Sequence, residues 1–234
     1  MFRTSTRSET TLLPARLTKI DETNRADHPF LKDGDRCYFF GEYFAGKGYQ
    51  GGGTNQLIFN YKCSPTDVAK KPARGTYKDS AIRTIAAGLR KAFPSTLAER
   101  YTWVPIPTSK LPNHVDYDDR LVRSLELAFD GFDIDIRLLI QQTASTESDH
   151  TKDDRLTSEQ LYELLHVENA LVARAPVRGG IVLFDDVITT GKHFRCCERR
   201  LREVITADVP IFGVFVARRI LPSAAEAFED LTTP

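Results

Sequence analysis

The densest group of chemistry-bearing residues in the 234-residue chain is Ile181-Val-Leu-Phe-Asp185-Asp186-Val-Ile-Thr189-Thr190-Gly191-Lys192. Four apolar residues fit a strand buried on both faces, and two carboxylates sit where that strand ends. A hydroxyl- and glycine-rich turn then opens a helix. The carboxyl edge of a parallel sheet is where α/β proteins place ligands. A turn entering a helix offers backbone N–H groups and positive dipole to a phosphate, with the hydroxyls of Thr189 and Thr190 as further donors. Adjacent carboxylates would repel that phosphate, so their partners are sugar hydroxyls or a hydrated Mg²⁺. The two halves together describe a site for a ribose 5-phosphate.

Three other readings compete. An ordinary strand and helix start with solvated acids leaves the agreement of so many local features unexplained. A P-loop NTPase needs a phosphate loop, and Gly41–Gly48 (GEYFAGKG) nearly matches GxxxxGK. Gly48 replaces the magnesium-binding hydroxyl, and more glycine and an expected strand follow instead of a helix. An aspartate-nucleophile phosphatase would want a second Asp two positions after the first, where Val187 stands.

The elements that must position this segment are legible as alternating strands and helices. Two strand-like runs, CYFFGEYF and NQLIFNYK, flank the glycine-rich stretch Gly46–Asn55 and predict an N-terminal β-hairpin with a long tip. Ile82, Ile85, Ala86, Leu89 and Phe93 recur at helical spacing after Tyr77 and Lys78. YTWVPIP reads as a strand, Leu121, Leu125 and Ala128 as a helix, and IDIRLLI as another strand. Thr157 with Gln160 forms a capping-box pattern before Leu161, Leu164 and Leu165. Phe194, Cys197, Leu201 and Val204 stripe a helix after the Asp-Asp strand, and IFGVFVA is a last buried strand. This alternation predicts an α/β fold: a central, mainly parallel sheet flanked by helices, with right-handed crossovers. Residues 1–35 read as a polar N-terminal arm, 36–220 as the domain and 221–234 as a C-terminal tail.

Composition narrows the function classes. Lys and Arg total 32 and Asp and Glu total 32, a formal net charge of zero, which disfavours bulk binding of nucleic acid or an acidic membrane. No stretch approaches the roughly 18 apolar residues of a membrane helix, and the first residues lack a signal-peptide core. Cys37, Cys63, Cys196 and Cys197 form no CxxC pair, so they read as small core residues of a cytoplasmic protein.

IVLFDDVITTGK resembles the phosphoribosyl-pyrophosphate (PRPP) motif of type I phosphoribosyltransferases. Further segments are similar to the ComF-like branch of that family. These are FNYK before a helix, VPIPTSK followed by DDRLVRSLELAF, LLIQQT before the PRPP motif, and the closing VFVAR. The likeness spans approximately residues 36 to 220. It implies a Mg²⁺-dependent transfer of ribose 5-phosphate from PRPP to a small nitrogenous acceptor, with release of pyrophosphate. Asp185 and Asp186 would hold the ribose hydroxyls directly or through Mg²⁺. Thr189, Thr190, Gly191 and Lys192 would cradle the 5-phosphate, and Thr108, Ser109 and Lys110 the pyrophosphate. Arg120, His114, His150 and Arg155 lie in flanking polar loops, with Arg120, His150 and Arg155 the candidates to close over the site. The loop Thr143–Asp154 reads as a lid, and His193 stands in the first helical turn near the phosphate. Without the N-terminal CxxC module of that branch, no zinc site is implied. Thr189 stands where 6-oxopurine enzymes of the family usually carry an acid, so hypoxanthine, guanine and xanthine are disfavoured acceptors. The hairpin, arm and tail would form the hood that selects the base, and a homodimer is common among similar folds. The alternative is a non-catalytic sensor or adaptor that binds PRPP or a nucleotide.

Overall fold

The apolar run before the acidic pair forms a strand buried on both faces, as its composition dictates. Ile181, Val182, Leu183 and Phe184 are each at most 2% exposed. The computed structural model describes residues 13–14, 16–146 and 156–221. In chain order its strands are β1 (Thr18–Lys19), β2 (Arg36–Phe44), β3 (Thr102–Pro105), β4 (Asp135–Ile136), β5 (Ile140–Gln142), β6 (Leu165–Val167), β7 (Ile181–Ile188) and β8 (Ile211–Ile220). The helices are α1 (Gly53–Tyr61), α2 (Pro65–Lys70), α3 (Ala73–Ala92), α4 (Ser95–Ala98), α5 (Arg120–Ala128), α6 (Ser158–Leu164), α7 (Asn169–Arg174) and α8 (Lys192–Leu201).

The main sheet has six strands in the order β1-β2-β8-β7-β3-β4. Only the β1–β2 pair is antiparallel; every other neighbour is parallel. The fold is therefore α/β with a mostly parallel central sheet, and helices cover both faces. Strand alternation divides the core in two. Val182 and Phe184 pack with Val214, Trp103 and the apolar stripes of α1, α3 and α5. Ile181 and Leu183 pack with Val104, Phe215 and the α8 stripe of Phe194, Cys197 and Leu201. All four cysteines are buried free thiols. No helix among the described residues is long and apolar enough to cross a membrane.

The expected N-terminal hairpin is not formed. NQLIFNYK contributes to helix α1, and β2 lies inside the sheet beside β8. Leu57, Ile58 and Tyr61 are the buried apolar positions of α1, a helical spacing that the neighbouring glycines and aromatic residues disguised. Fully buried Asn55 fixes the connection: its side-chain amide accepts from Phe44 N–H at 2.9 Å and donates to the carbonyls of Phe44 and Gly48. A helix thus follows the GEYFAGKG loop after all. It starts at Gly53, six residues past Lys47, and β8 separates β2 from the acidic strand.

Smaller departures have equally local causes. The IDIRLLI run is split, so that β4 joins the main sheet and β5 pairs with β6 in a separate antiparallel ribbon. Helix α3 begins at Ala73, ahead of Tyr77 and Lys78. Helix α8 ends at Leu201, which leaves Val204 40% exposed while Ile205 is buried. The Thr157–Gln160 capping box is present, with Gln160 N–H donating to the Thr157 hydroxyl at 3.2 Å and Thr157 N–H to the Gln160 side chain at 2.8 Å. Residues 16–35, read as an arm, supply β1 at the sheet edge and the buried Ile20, His28 and Leu31. His150, Arg155 and most of the Thr143–Asp154 loop lie outside the described residues, as does the tail beyond Leu221.

Candidate functional site

Parallel register brings three connections to one edge of the sheet. β2, β3 and β7 all run toward that edge, with Pro105 opposite Phe184, and Ile188 and Glu42 both opposite Arg218. The glycine-rich loop after β2, the loop carrying Thr108, Ser109 and Lys110 after β3, and the Thr189–Gly191 turn after β7 therefore share the carboxyl edge, where α/β sheets bind ligands.

The two aspartates face different environments because strand side chains alternate. Asp186 has the parity of Val182 and Phe184 and meets the helices on that face. Arg120, the first residue of α5, donates to its Oδ2. Lys62, which follows α1, reaches Oδ1 at 3.4 Å. Arg120 also donates to Asp118 at 2.8 Å, and Lys78 of α3 holds the same Asp118 at 2.7 Å. Lys78, Asp118, Arg120, Asp186 and Lys62 thus form one continuous chain of alternating charge, buried except at Lys62, whose side chain is 44% exposed. Burial would raise the Asp186 carboxyl, but Lys62 and Arg120 overcome it and hold the group well below the usual carboxylate range. Burial is likewise overcome at Arg120, where Asp186 and Asp118 lock the guanidinium in its charged form.

Asp185 has the opposite parity and, among the described residues, no such ion pair. Its Oδ1 accepts the Asp186 N–H at 2.7 Å. Burial, reinforced by the neighbouring Asp186 charge, pushes its carboxyl up to about 7. Arg120 and Lys62 thus favour the ionised form of Asp186, while burial and that neighbouring charge favour the protonated form of Asp185.

The turn that follows joins β7 to α8. Gly191 caps α8 in the left-handed region at φ +80°, and the Thr189 side chain is exposed. Thr190 Oγ1 accepts from Lys192 N–H at 3.4 Å. The Lys192 ammonium, expected to join the cradle, instead donates to the Leu156 carbonyl. His193 is partly buried in the same first turn.

The N-terminal segment forms the back of this turn. His28, fully buried, bonds the Thr189 carbonyl through Nδ1, and Phe30 N–H donates to the Thr190 carbonyl at 3.0 Å. Because a carbonyl only accepts, Nδ1 carries the imidazole proton; burial lowers the imidazole pKa and keeps the ring neutral. Leu31 lies where a Cβ on Gly191 would come within 2.8 Å of Leu31 Cγ. Arg218 of β8 ties the segment down by pairing with Asp27 at 2.9 Å and Glu42 at 2.7 Å. Replacing Gly191 by Ala is expected to cost roughly 1–3 kcal/mol through φ strain and the Leu31 clash. The urea midpoint checks this, and phosphate affinity should fall with it.

On the β3 side, Thr108 Oγ1 donates to the Lys110 carbonyl at 3.4 Å, and Thr146 N–H donates to the Ser109 carbonyl at 2.8 Å. The loop is thereby folded against the segment after β5. His114 closes a local turn, its Nδ1 accepting Asp116 N–H at 3.0 Å. Arg120, expected to close over the site as part of a lid, sits beneath it: its side chain is 10% exposed and tied to two carboxylates. A polar DDR run reads as a loop, yet its arginine opens α5 and points into the sheet edge.

Sequence reasoning passed over Lys62, Lys78, Asp118 and His28. Lys62 lay in the quoted FNYK segment, so a signal existed for it. His28 has none, because its partner Thr189 is 161 positions away. No group of three or more His, Cys, Asp or Glu able to hold a metal occurs among the described residues. Compared with known proteins, the chain matches no family model and no curated sequence.

Proposed function

We propose that the protein is a Mg²⁺-dependent phosphoribosyltransferase that takes ribose 5-phosphate from PRPP to a nitrogenous acceptor and releases pyrophosphate. One observation carries the reading: two adjacent carboxylates, one held by Arg120 and Lys62, lie in the second half of β7. The sequence pattern ended that strand before them, but it runs on through Val187 and Ile188 to the Thr189–Gly191 turn that opens α8. Such a site suits a ligand with a diol next to a phosphate, as the PRPP-motif resemblance implies. The Thr108–Lys110 loop on the neighbouring strand offers hydroxyls and a cation to a second anionic group at the same edge.

The chemistry follows from the charges. Cleavage of the C1–oxygen bond sends the electron pair to pyrophosphate and leaves positive character on the ribose carbon, so fixed dipoles and charges supply most of the stabilisation. The Thr189–Gly191 turn would anchor the 5-phosphate with backbone N–H groups. The Asp pair would orient the ribose hydroxyls. Lys62, its side chain 44% exposed and beside Asp186, is placed to follow charge as it moves toward the leaving group. The pair fits Mg²⁺ as a hard oxygen donor set; two carboxylates leave most of the coordination to water and substrate oxygens, the usual Mg²⁺ arrangement. Bound there, Mg²⁺ would neutralise pyrophosphate oxygens.

The test is incubation with PRPP, Mg²⁺ and a panel of bases and amines while pyrophosphate is followed. Acceptor-dependent release that falls at least about 100-fold in Asp185→Asn supports the reading. Release that needs no acceptor, or that survives the substitution, overturns it. Because Asp185 meets a cation as a carboxylate, Mg²⁺-dependent PRPP affinity should rise as pH passes upward through about 7. The asparagine variant should lose that dependence.

One observation favours the sensor reading. Asp186 is already engaged by Arg120 and Lys62, so its oxygens are less free than those of Asp185. Calorimetry showing tight PRPP binding without turnover would select this second reading.

A further inference from the structure

The Thr189–Gly191 turn is held from behind by its carbonyls. His28 Nδ1 donates to the Thr189 carbonyl, and Phe30 N–H donates to the Thr190 carbonyl at 3.0 Å. Both peptide units are trans, so each N–H points away from the carbonyl of its own unit. Tethering the two oxygens to the N-terminal segment therefore turns Thr190 N–H and Gly191 N–H toward the opposite side of the turn. Neither N–H meets an acceptor among the described residues. Two consecutive amide donors without an internal partner form a concavity suited to an anion. His28 is the less expected member of this arrangement. Its side chain is fully buried, and Nε2 has no hydrogen-bond partner among the described residues. A leucine of similar bulk would fill the space without burying an unmet nitrogen, so packing alone gives no reason for a histidine. The segment that carries it is anchored independently, by the Arg218–Asp27 pair at 2.9 Å and by Ile20 N–H donating to the Cys37 carbonyl at 2.8 Å.

We propose that His28 is the positioning residue of the phosphate half of the site: by holding the Thr189 carbonyl it aims the Thr190 N–H at the ligand's phosphate. This role rests on the reading of the turn as a phosphate site, not on whether transfer takes place. His28 lies behind the turn and acts through one peptide plane. Without its bond the unit between Thr189 and Thr190 is free to rotate, and rotation presents a carbonyl oxygen to the anion in place of a donor. The next unit keeps its own tether from Phe30, so the loss is one charge-assisted hydrogen bond rather than the whole cradle. The 5-phosphate takes no part in bond cleavage. The hydrogen bond therefore serves ground and transition states equally, and its loss falls on KM.

The experiment is an NMR titration of the isotopically labelled full chain with inorganic phosphate, following amide and imidazole resonances. The parent should show His28 protonated at Nδ1 alone, with saturable shifts at Thr190 and Gly191. His28→Leu removes the donor; it should weaken phosphate about tenfold and abolish the Thr190 shift while Gly191 still responds. His28→Asn places a side-chain N–H close to the position of Nδ1 and should return the affinity to within about threefold of the parent. Rescue thus follows the donor, whereas a purely structural role would make affinity follow the urea midpoint. In turnover assays His28→Leu should raise KM for PRPP and leave kcat within about twofold. A ring protonated at Nε2 in the parent, equal affinities in the leucine and asparagine variants, or unchanged affinity in His28→Leu overturns the proposal; the first of these needs no variant to fold. A parent that binds no phosphate overturns it together with the phosphate reading of the turn. Phosphate binding without pyrophosphate release from PRPP ends the transferase reading and leaves the role of His28 standing.

Discussion

Replacing Arg120 by methionine is expected to remove about 3 kcal/mol of folding stability at pH 7, read as a lowered urea midpoint with an unchanged slope. The side chain joins Asp118 to Asp186, and it is 10% exposed. Without it both acids stay buried, each with one cation: Lys78 at 2.7 Å for Asp118 and the half-exposed Lys62 at 3.4 Å for Asp186. Breaking a buried pair from one side costs about 3–5 kcal/mol, and the surviving cations place this case at the low end. Arg120→Lys should rescue little, because a point charge cannot bond both acids in the planar fork geometry of guanidinium. The combined variant Arg120→Met with Asp186→Asn should lose less than the sum of the two single losses, the signature of direct coupling. A loss under about 1 kcal/mol for Arg120→Met would show that water reaches the chain and screens it.

Asp185→Asn is expected to act in the opposite direction on stability while removing function. Folding raises the Asp185 pKa above its unfolded value, so between the ordinary carboxylate range and about 7 the native state binds more protons than the unfolded chain. Stability contributed by this group is therefore fully present at low pH and is lost as pH rises through that window. Its slope is at most about 1.4 kcal/mol per pH unit for one proton. Asp186 contributes with the reverse sign: its lowered pKa gives stability present above its unfolded value and lost as pH falls toward the folded value. Asparagine keeps an oxygen for the Asp186 N–H and carries no charge, so the variant should be more stable than the parent at pH 8 and show a flatter profile from pH 4 to 7. Urea melts across that range check both points. A variant no more stable than the parent at pH 8 would mean that solvent neutralises the cost of the second charge.

Much of this site was legible because its signals are local. The Asp-Asp strand, the glycine turn and the α8 stripe lie within about 20 contiguous residues, and alternation with helices dictated a parallel sheet. What escaped depends on register between distant segments. Nothing near Asp186 names Lys62 or Arg120 as its partners, 124 and 66 positions away. The α1 helix was mistaken for a strand because glycines break the pattern that identifies a helix start. There the decisive contact is Asn55 closing onto the end of β2, a side-chain bond across 11 residues. The thiols are the reverse case: their spacing alone pointed to core residues, and burial raises Cys37 and Cys197 well above the ordinary thiol range.

The place of β2 in the sheet has a consequence for how the chain assembles during synthesis. Its long neighbour is β8, which pairs along Arg36–Phe44, while β1 covers only Phe39 and Tyr38. Some 170 residues must leave the ribosome after β2 before its main partner exists. At roughly 5–20 residues per second that is a wait on the order of ten seconds or more, with Phe39 and Phe40 unshielded. Closure of such a long loop makes folding slow and high in contact order. A strand near the C-terminal end of the described residues thus gives the first long strand its place, and the Thr189–Gly191 turn, which leans on His28, is completed only then.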